Sequence, residues 1–298
     1  MPITRSKTVN PGTMQPATFA TLQHWIRAES GIVGDPNQQY LLERRLLPLL
    51  ASPQFVAEGI DTLEALGQHV TTRSGGAIAA SVLDAVTTNE TFFFRDTPMF
   101  EALRRFVLPA MLEPLRGRRK LRVWSAAASS GQEAYSVAIQ LRELGKDATD
   151  CEIVGTDLSN AMLERARKAR YAELETSRGL PREYLSRYFS RDGADWVLHH
   201  EVRAMVHFEQ IDLRRNIGRL GHFDLILCRN VLIYFDVETK RQIVQNLEPM
   251  LSPAGVLVLG CAETILGLSE TLAAATLGKS TFYRAAKTKQ SASESVDG

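Results

Sequence analysis

The chain has 298 residues, with 35 Lys and Arg against 34 Asp and Glu. That length supports a large core and predicts one big domain plus a smaller one, while a net charge of +1 offers no overall basic excess for nucleic acid. The N-terminus lacks the apolar core of a signal peptide and no apolar stretch is long enough to span a bilayer, so a cytoplasmic protein without direct membrane insertion is expected.

Residues 1–15 are polar, carry prolines and read as a disordered tail. Residues 16–86 read as an all-α domain. From Pro16, Phe19, Leu22, Trp25 and Ile26 fall on one helical face, and Gly31 closes the helix. Asp35-Pro36 opens a second helix with Tyr40, Leu41 and Leu47, broken near Pro48, and Arg44-Arg45 place a basic face on it. Asp61 with Glu64 resembles a capping box before Leu63, Leu66 and Val70. Ile78, Val82 and Val86 mark a fourth helix. No catalytic constellation is visible in this part.

Residues 87–120 read as a linker and lid. Phe92, Phe93 and Phe94 in succession do not suit one helical face, whereas Phe100, Leu103, Phe106 and Val107 do. Arg116 to Lys120 reads as a solvated basic run. Strands and helices then alternate over 121–285, which predicts a parallel sheet covered on both faces. Cys151, Cys228 and Cys261 lie in apolar runs that read as strands. Their odd number and the lack of C-x-x-C spacing fit buried free thiols and suggest no metal. At about 184–210 no helical pattern separates Trp196–His199 from Val202–Phe208, so an inserted antiparallel hairpin is predicted, its second strand able to continue into the main sheet. Residues 286–298 read as a second disordered tail.

The chain is organised around residues 121–138. Leu121 to Trp124 is a short buried strand, Ser125 to Gly131 a run of small residues, and Glu133 opens a helix. Small side chains, Ser125 and Ala126 among them, let backbone N–H groups and a helix N-terminus approach a ligand. The run is neither G-x-G-x-x-G nor a phosphate-binding P-loop. Ligands of such sheets sit at the carboxyl ends of the strands, here Ser125–Gly131, Asp157, Asp212 and Arg229-Asn230. Asp157 is placed to accept from a ribose diol or to cap the next helix. Asp212 is placed to accept from an adenine amino group, or is a turn acid before Arg214-Arg215. Glu133 suits the helix dipole or a ligand ammonium. A nucleoside with an amino-acid tail fits these groups better than a nucleotide phosphate.

Three stretches carry a resemblance. They are Thr87 to Arg95 (Thr-Thr-Asn-Glu-Thr-Phe-Phe-Phe-Arg), Val123 to Tyr135 (Val-Trp-Ser-Ala-Ala-Ala-Ser-Ser-Gly-Gln-Glu-Ala-Tyr) and Phe223 to Asp236 (Phe-Asp-Leu-Ile-Leu-Cys-Arg-Asn-Val-Leu-Ile-Tyr-Phe-Asp). In that order they resemble the signatures of the chemotaxis receptor glutamate methyltransferases, the CheR family. The resemblance implies an α/β fold: a class I, Rossmann-like methyltransferase domain, an N-terminal all-α domain and a small inserted antiparallel β-subdomain. It implies S-adenosylmethionine as cofactor and S-adenosylhomocysteine as product. Carried over by position, Asn89, Thr91, Arg95, Glu133, Asp157, Asp212, Leu213, Arg229 and Asn230 match cofactor-contacting positions, and Arg95 and Tyr234 match those nearest the transferred methyl. Cys261-Ala262-Glu263 stands where many members have His-Ser-Glu, and Asp212 where some have Asn.

The expected partners are the cytoplasmic methylation helices of chemoreceptors, met by a monomer. A glutamate carboxylate is ionised at neutral pH and attacks a sulfonium methyl without a general base, so no Ser-His-Asp arrangement is needed. Two other readings stay open: a family member acting on another signalling protein, and a non-catalytic S-adenosylmethionine-binding module. Ser190 to Asp195 is short, with Gly193 its only glycine, and His199–Glu201 reads as a tight turn. Members of the resembled family that dock a receptor C-terminal peptide carry a glycine-containing extension in a loop of this subdomain, so the resemblance implies independence from such a peptide.

Overall fold

The computed structural model describes residues 14–34, 38–73, 75–115, 117–215 and 217–286. Both predicted tails and the Asp35-Pro36 cap lie largely or wholly outside them. The N-terminal helices are α1 (Pro16–Ser30), α2 (Gln39–Leu50), α3 (Pro53–Ala57), α4 (Leu63–Thr72) and α5 (Ala77–Val86). They bury Leu22, Trp25, Leu46, Phe55, Leu66 and Val82 in a core of their own. Two local expectations change. The second helix runs through Pro48 and ends two residues later at Leu50, so the proline removes one backbone donor without breaking the helix there. The cap of α4 is Thr62, whose hydroxyl accepts from Ala65 N–H at 3.1 Å, not Asp61.

The connecting segment holds α6 (Thr97–Ala102), a π-helical turn (Leu103–Val107) and α7 (Leu108–Leu112). The three phenylalanines point different ways. Phe93 packs edge-on against Tyr171 and Phe189, Phe94 lies between Phe100 and Tyr184, and Phe92 stays half-buried. Phe93, Phe94, Met99, Phe100 and Leu103 join the core beneath the central sheet.

That sheet is built from β1 (Leu121–Ala126), α8 (Gln132–Glu143), β2 (Cys151–Asp157) and α9 (Asn160–Lys168), then an insertion and the remaining strands. The insertion comprises β3 (Arg170–Ala172), α10 (Glu173–Ser177), α11 (Arg182–Tyr188), β4 (Phe189–Asp192), β5 (Asp195–Leu198) and α12 (His200–Arg203). The chain then forms β6 (Val206–Gln210), β7 (Phe223–Cys228), α13 (Val237–Leu247), β8 (Leu251–Leu259), β9 (Leu272–Leu277) and β10 (Ser280–Ala285). The order is β6-β2-β1-β7-β8-β10-β9, parallel except where β10 pairs with β8 and β9. Residues alternate between the two faces, as strand geometry requires. Val123, Ile153, Leu225 and Val258 meet Tyr135 and Ile139 on one side. Trp124, Val154, Ile226 and Leu257 meet Ile243, Val244 and Leu247 on the other.

The insertion corrects the predicted hairpin. β4 pairs with β5 across a turn of Gly193 and Ala194, and β3 pairs on the far side of β5. Val206–Gln210 instead lies parallel to β2 in the main sheet, with Val206 opposite Ile153, and His200–Arg203 is a helical turn. Asp192-Gly193 is the short-range hairpin signal, and it outweighs the weak alternation after His199. The edge strand Leu272–Leu277 was not foreseen, because its run of alanines and mostly exposed faces carry little pattern. Cys151 and Cys228 are buried, whereas Cys261 is exposed in the turn after β8. No helix among the described residues is long and apolar enough to cross a membrane.

The described residues of the basic run before β1, Gly117 to Lys120, are exposed, and Arg119 is in addition paired. Arg119 donates to both oxygens of Asp224 at 2.7 Å, and Asp224 also accepts from Arg122 N–H at 3.0 Å and the Ser252 hydroxyl at 2.8 Å. Burial alone would raise the Asp224 carboxyl, but these donors outweigh it and hold it below its ordinary value. A depressed carboxyl contributes stability above its unfolded pKa and loses it as pH falls through the folded one. Asp224→Ala is therefore expected to cost about 2–3 kcal/mol at neutral pH. Unfolding in urea should show the gap from wild type closing as the medium is acidified. A gap independent of pH would exclude the ionised carboxylate as its source.

Candidate functional site

The strand order reverses beside β1, and the carboxyl ends of β1, β2, β6 and β7 open on a cleft of about 930 Å³, part of it open to solvent. Ten of the residues singled out in the sequence line it: Asn89, Thr91, Arg95, Glu133, Asp157, Asp212, Leu213, Arg229, Asn230 and Tyr234. Ser125 and Ala126 do not. Ser125 is buried at the end of β1 and donates to Glu133 Oε1 at 2.7 Å, and Ala126 is enclosed in the strand. The cleft wall is formed instead by Ala127 and Ser129, one and three residues beyond Ala126 in the same turn. Both adopt left-handed backbone, with φ of 80° and 49°, a conformation uncommon for non-glycine residues. The turn is fixed from outside, because Ala127 and Ala128 N–H both donate to Thr156 O and Ser129 N–H donates to Asp157 at 2.8 Å.

Asp157 also accepts from Ser159 N–H at 2.9 Å, while Ser159 caps α9 through its own hydroxyl. The carboxylate of Asp157 is therefore not the helix cap. It is buried at the end of β2, and burial pushes its carboxyl up from the ordinary value against the pull of those backbone donors. Glu133 stands in the first turn of α8, where the helix dipole favours an acid. Burial raises its carboxyl too, opposed by Arg229 at 3.0 Å and by Ser125. Arg229 is almost fully enclosed and also donates to Arg95 O at 2.9 Å. Its Nε is buried with no acceptor among the described residues.

Asp212 is already engaged. Arg214 donates to it through Nε at 3.0 Å and Nη2 at 2.7 Å, and Arg214 N–H adds a third bond at 3.0 Å. The same guanidinium reaches the last carbonyls of α1, at Ala28 and Glu29. This needs Gly31, since a Cβ there would stand 2.7 Å from Arg214 Cδ and its φ is 75°. With Arg27–Asp236 at 2.6 Å and Val33 N–H on Tyr234 O at 2.9 Å, the end of α1 is tied across the cleft mouth. Ser30 and Ile32 accordingly line the cleft. Sequence reasoning missed both, as no motif in the helical domain marks them.

Arg95 and Tyr234 are half-buried at the cleft wall. Arg95 donates to Glu90 O at 2.7 Å and lies over the Phe92 ring. The segment carrying Asn89 is held to the turn by the Ser129 hydroxyl, which donates to Asn89 O at 3.1 Å.

The donor set can be tested against ligand classes. Two buried acids oppose a phosphate beside them, and the enclosed arginine of the lining, Arg229, is already paired with one of them, Glu133. The acids suit a ligand with a cationic centre and a diol, and the orphaned Arg229 donor suits one that also brings a carboxylate. S-adenosylmethionine has all three, and the residues present fit it.

Comparison with known proteins agrees. The family described as "CheR methyltransferase, SAM binding domain" matches residues 89–280. The chain is 39% identical over 275 residues to Chemotaxis protein methyltransferase 1 of Pseudomonas aeruginosa, covering 90% of this chain and 98% of that protein. It is 33% identical over 264 residues to Chemotaxis protein methyltransferase 1 of Vibrio cholerae, covering 87% and 93%. With its S-adenosylmethionine-binding domain and this cleft, the chain belongs to the CheR methyltransferase family.

Proposed function

We propose that the protein methylates glutamate side chains on the cytoplasmic helices of chemoreceptors, using S-adenosylmethionine and leaving glutamyl methyl esters and S-adenosylhomocysteine. The observation that carries this reading is the meeting of Arg95 and Tyr234 with Glu133, Asp157 and Arg229 in one cleft. The cofactor supplies an electrophilic sulfonium methyl. Asp157 accepts from the ribose hydroxyls. Glu133 faces the ammonium, Arg229 the amino-acid carboxylate, and Asn89, Thr91, Leu213 and Asn230 complete the enclosure. Asp212 reaches an adenine amino group only with a lone pair that Arg214 leaves free.

The acceptor glutamate needs no base, since its carboxylate is already ionised at neutral pH. The enzyme's task is alignment and exclusion of water. Arg95 holds the acceptor by charge-assisted hydrogen bonds, with its guanidinium steadied by Glu90 O and the Phe92 face. Tyr234 orients it through its hydroxyl.

Receptor recognition falls to the helical domain. Arg45 turns toward Val86 O and Thr88 Oγ1, joining α2 to the segment that enters the cleft. Arg44, exposed and lying over the Tyr40 ring, is left to steer acidic helices by charge. The two-residue turn between β4 and β5 supports a reading without a receptor C-terminal peptide, because it has no room for an added peptide-binding excursion.

Asp157→Ala is expected to weaken S-adenosylmethionine binding by about 1.5–3 kcal/mol, roughly 10- to 150-fold in Kd. Unchanged calorimetric affinity in the folded variant would remove Asp157 from the cofactor site. Tyr234→Phe keeps the ring and deletes the hydroxyl. Turnover should drop about tenfold or more while cofactor affinity moves little, and wild-type turnover would make Tyr234 a packing residue.

The raised carboxyls of Glu133 and Asp157 give a pH test. In the free protein both take up protons above the unfolded range, so their ionised forms cost stability there. A ligand whose ammonium faces Glu133 and whose hydroxyls donate to Asp157 favours the ionised forms, so affinity should rise as pH is raised above the ordinary carboxylate range. Glu133→Gln should flatten part of that slope. A wild-type cofactor affinity that does not change with pH would contradict the assignment of Glu133 to the ammonium and of Asp157 to the ribose hydroxyls.

A further inference from the structure

Between β7 and α13 the chain makes a tight turn from Arg229 to Tyr234. Its first residue faces Glu133, and its last is the tyrosine assigned to the acceptor. The turn is short and strained. Asn230 is left-handed, with φ of 57°, and Leu232–Tyr234 form a single 3₁₀ turn. The N–H groups at the start of such a turn have no partner within it.

Those donors converge on one side chain from another part of the chain. Glu263, in the connection between β8 and β9, accepts from Asn230 N–H at 2.7 Å, Val231 N–H at 3.0 Å and Ile233 N–H at 3.3 Å. Gly260 N–H, at 2.7 Å, closes its own end of the connection on the same carboxylate. The approach depends on Gly260, where a Cβ would stand 2.6 Å from Glu263 Oε2 and 2.7 Å from Asn230 Nδ2. No cation is bonded to Glu263 among the described residues' salt bridges, so its charge is spent on backbone amides. Hydrogen bonds from amides to an ionised acceptor are stronger than neutral ones.

We infer that Glu263 is a positioning residue for methyl transfer, acting through the Asn230–Tyr234 turn to hold the Tyr234 hydroxyl at a fixed distance from the cofactor side of the cleft. This rests on the role proposed above for Tyr234. The residue touches neither cofactor nor acceptor in this scheme. A carboxylate is required, because an amide in its place turns N–H groups toward N–H donors.

The test is a double-mutant cycle of Glu263→Gln and Tyr234→Phe. Methylation turnover is expressed per cofactor-binding site, counted by calorimetric stoichiometry, so that unfolded protein does not enter. Each single variant is expected to lose about tenfold or more in turnover with Kd for S-adenosylmethionine within about threefold of wild type. The double variant should fall no more than about threefold below the slower single one, because both lesions remove the same aligned hydroxyl. If the factors multiply, or if Glu263→Gln turns over like wild type, Glu263 has no part in placing Tyr234, while the role of Tyr234 itself stands. If Tyr234→Phe alone turns over like wild type, the role of Tyr234 falls and this inference falls with it. Should the glutamine variant bind no cofactor, the same cycle with Glu263→Asp, which keeps the charge but is one methylene short, decides between the same outcomes.

Discussion

The arrangement of the cleft depends on one buried cation. Arg229 leaves the end of β7 with its side chain 2% exposed, and it reaches Glu133 on α8, Arg95 O and, at 3.4 Å, Asp96. It thus joins a strand end, a helix start and the segment that precedes α6. A buried guanidinium is tolerated only when paired and hydrogen-bonded, so each partner is held in place by the cost of leaving it. Within this group the Arg229 Nε is left without an acceptor among the described residues, and burial raises the Glu133 carboxyl against the pull of Arg229.

A second constraint sets the place of the helical domain. Arg214 shares its donors between Asp212 and the carbonyl end of α1, where the helix dipole favours a cation. The domain that is proposed to meet the receptor is thereby anchored beside the acid assigned to adenine. Ser30 and Ile32 become cleft wall by that anchoring, and Tyr234 is bonded through its carbonyl to Val33. The helical domain and the cleft wall are therefore parts of one bonded assembly.

The fold and most of the cleft lining were legible because their signals are local. A strand, a run of small residues and an acid at the second position of the following helix announce the turn after β1, and acids at strand ends announce Asp157 and Asp212. The reading erred by a residue or two within that turn, taking Ser125 and Ala126 for wall where Ala127 and Ser129 serve. Side-chain alternation in a strand carries no mark of where the strand ends. The hairpin was misplaced because an apolar run, Val202–Phe208, looks alike whether it pairs with a neighbour in sequence or with a distant parallel strand. Ser30, Ile32, Arg214 and Glu263 were invisible as functional residues. Arg214 and Glu263 act across a long stretch of sequence on backbone groups, which leave no signature in residue type, and Ser30 and Ile32 line the cleft only because the end of α1 is anchored there.

The account stands on the chemistry of the product. Radiolabelled S-adenosylmethionine should be incubated with the enzyme and with membranes bearing chemoreceptors from the same organism, intact and with their C-terminal tails removed. The account predicts label on both receptor forms, released as methanol by mild base, as expected of a glutamyl methyl ester. Base-stable label, or no label on any receptor from an enzyme that binds the cofactor, would contradict it.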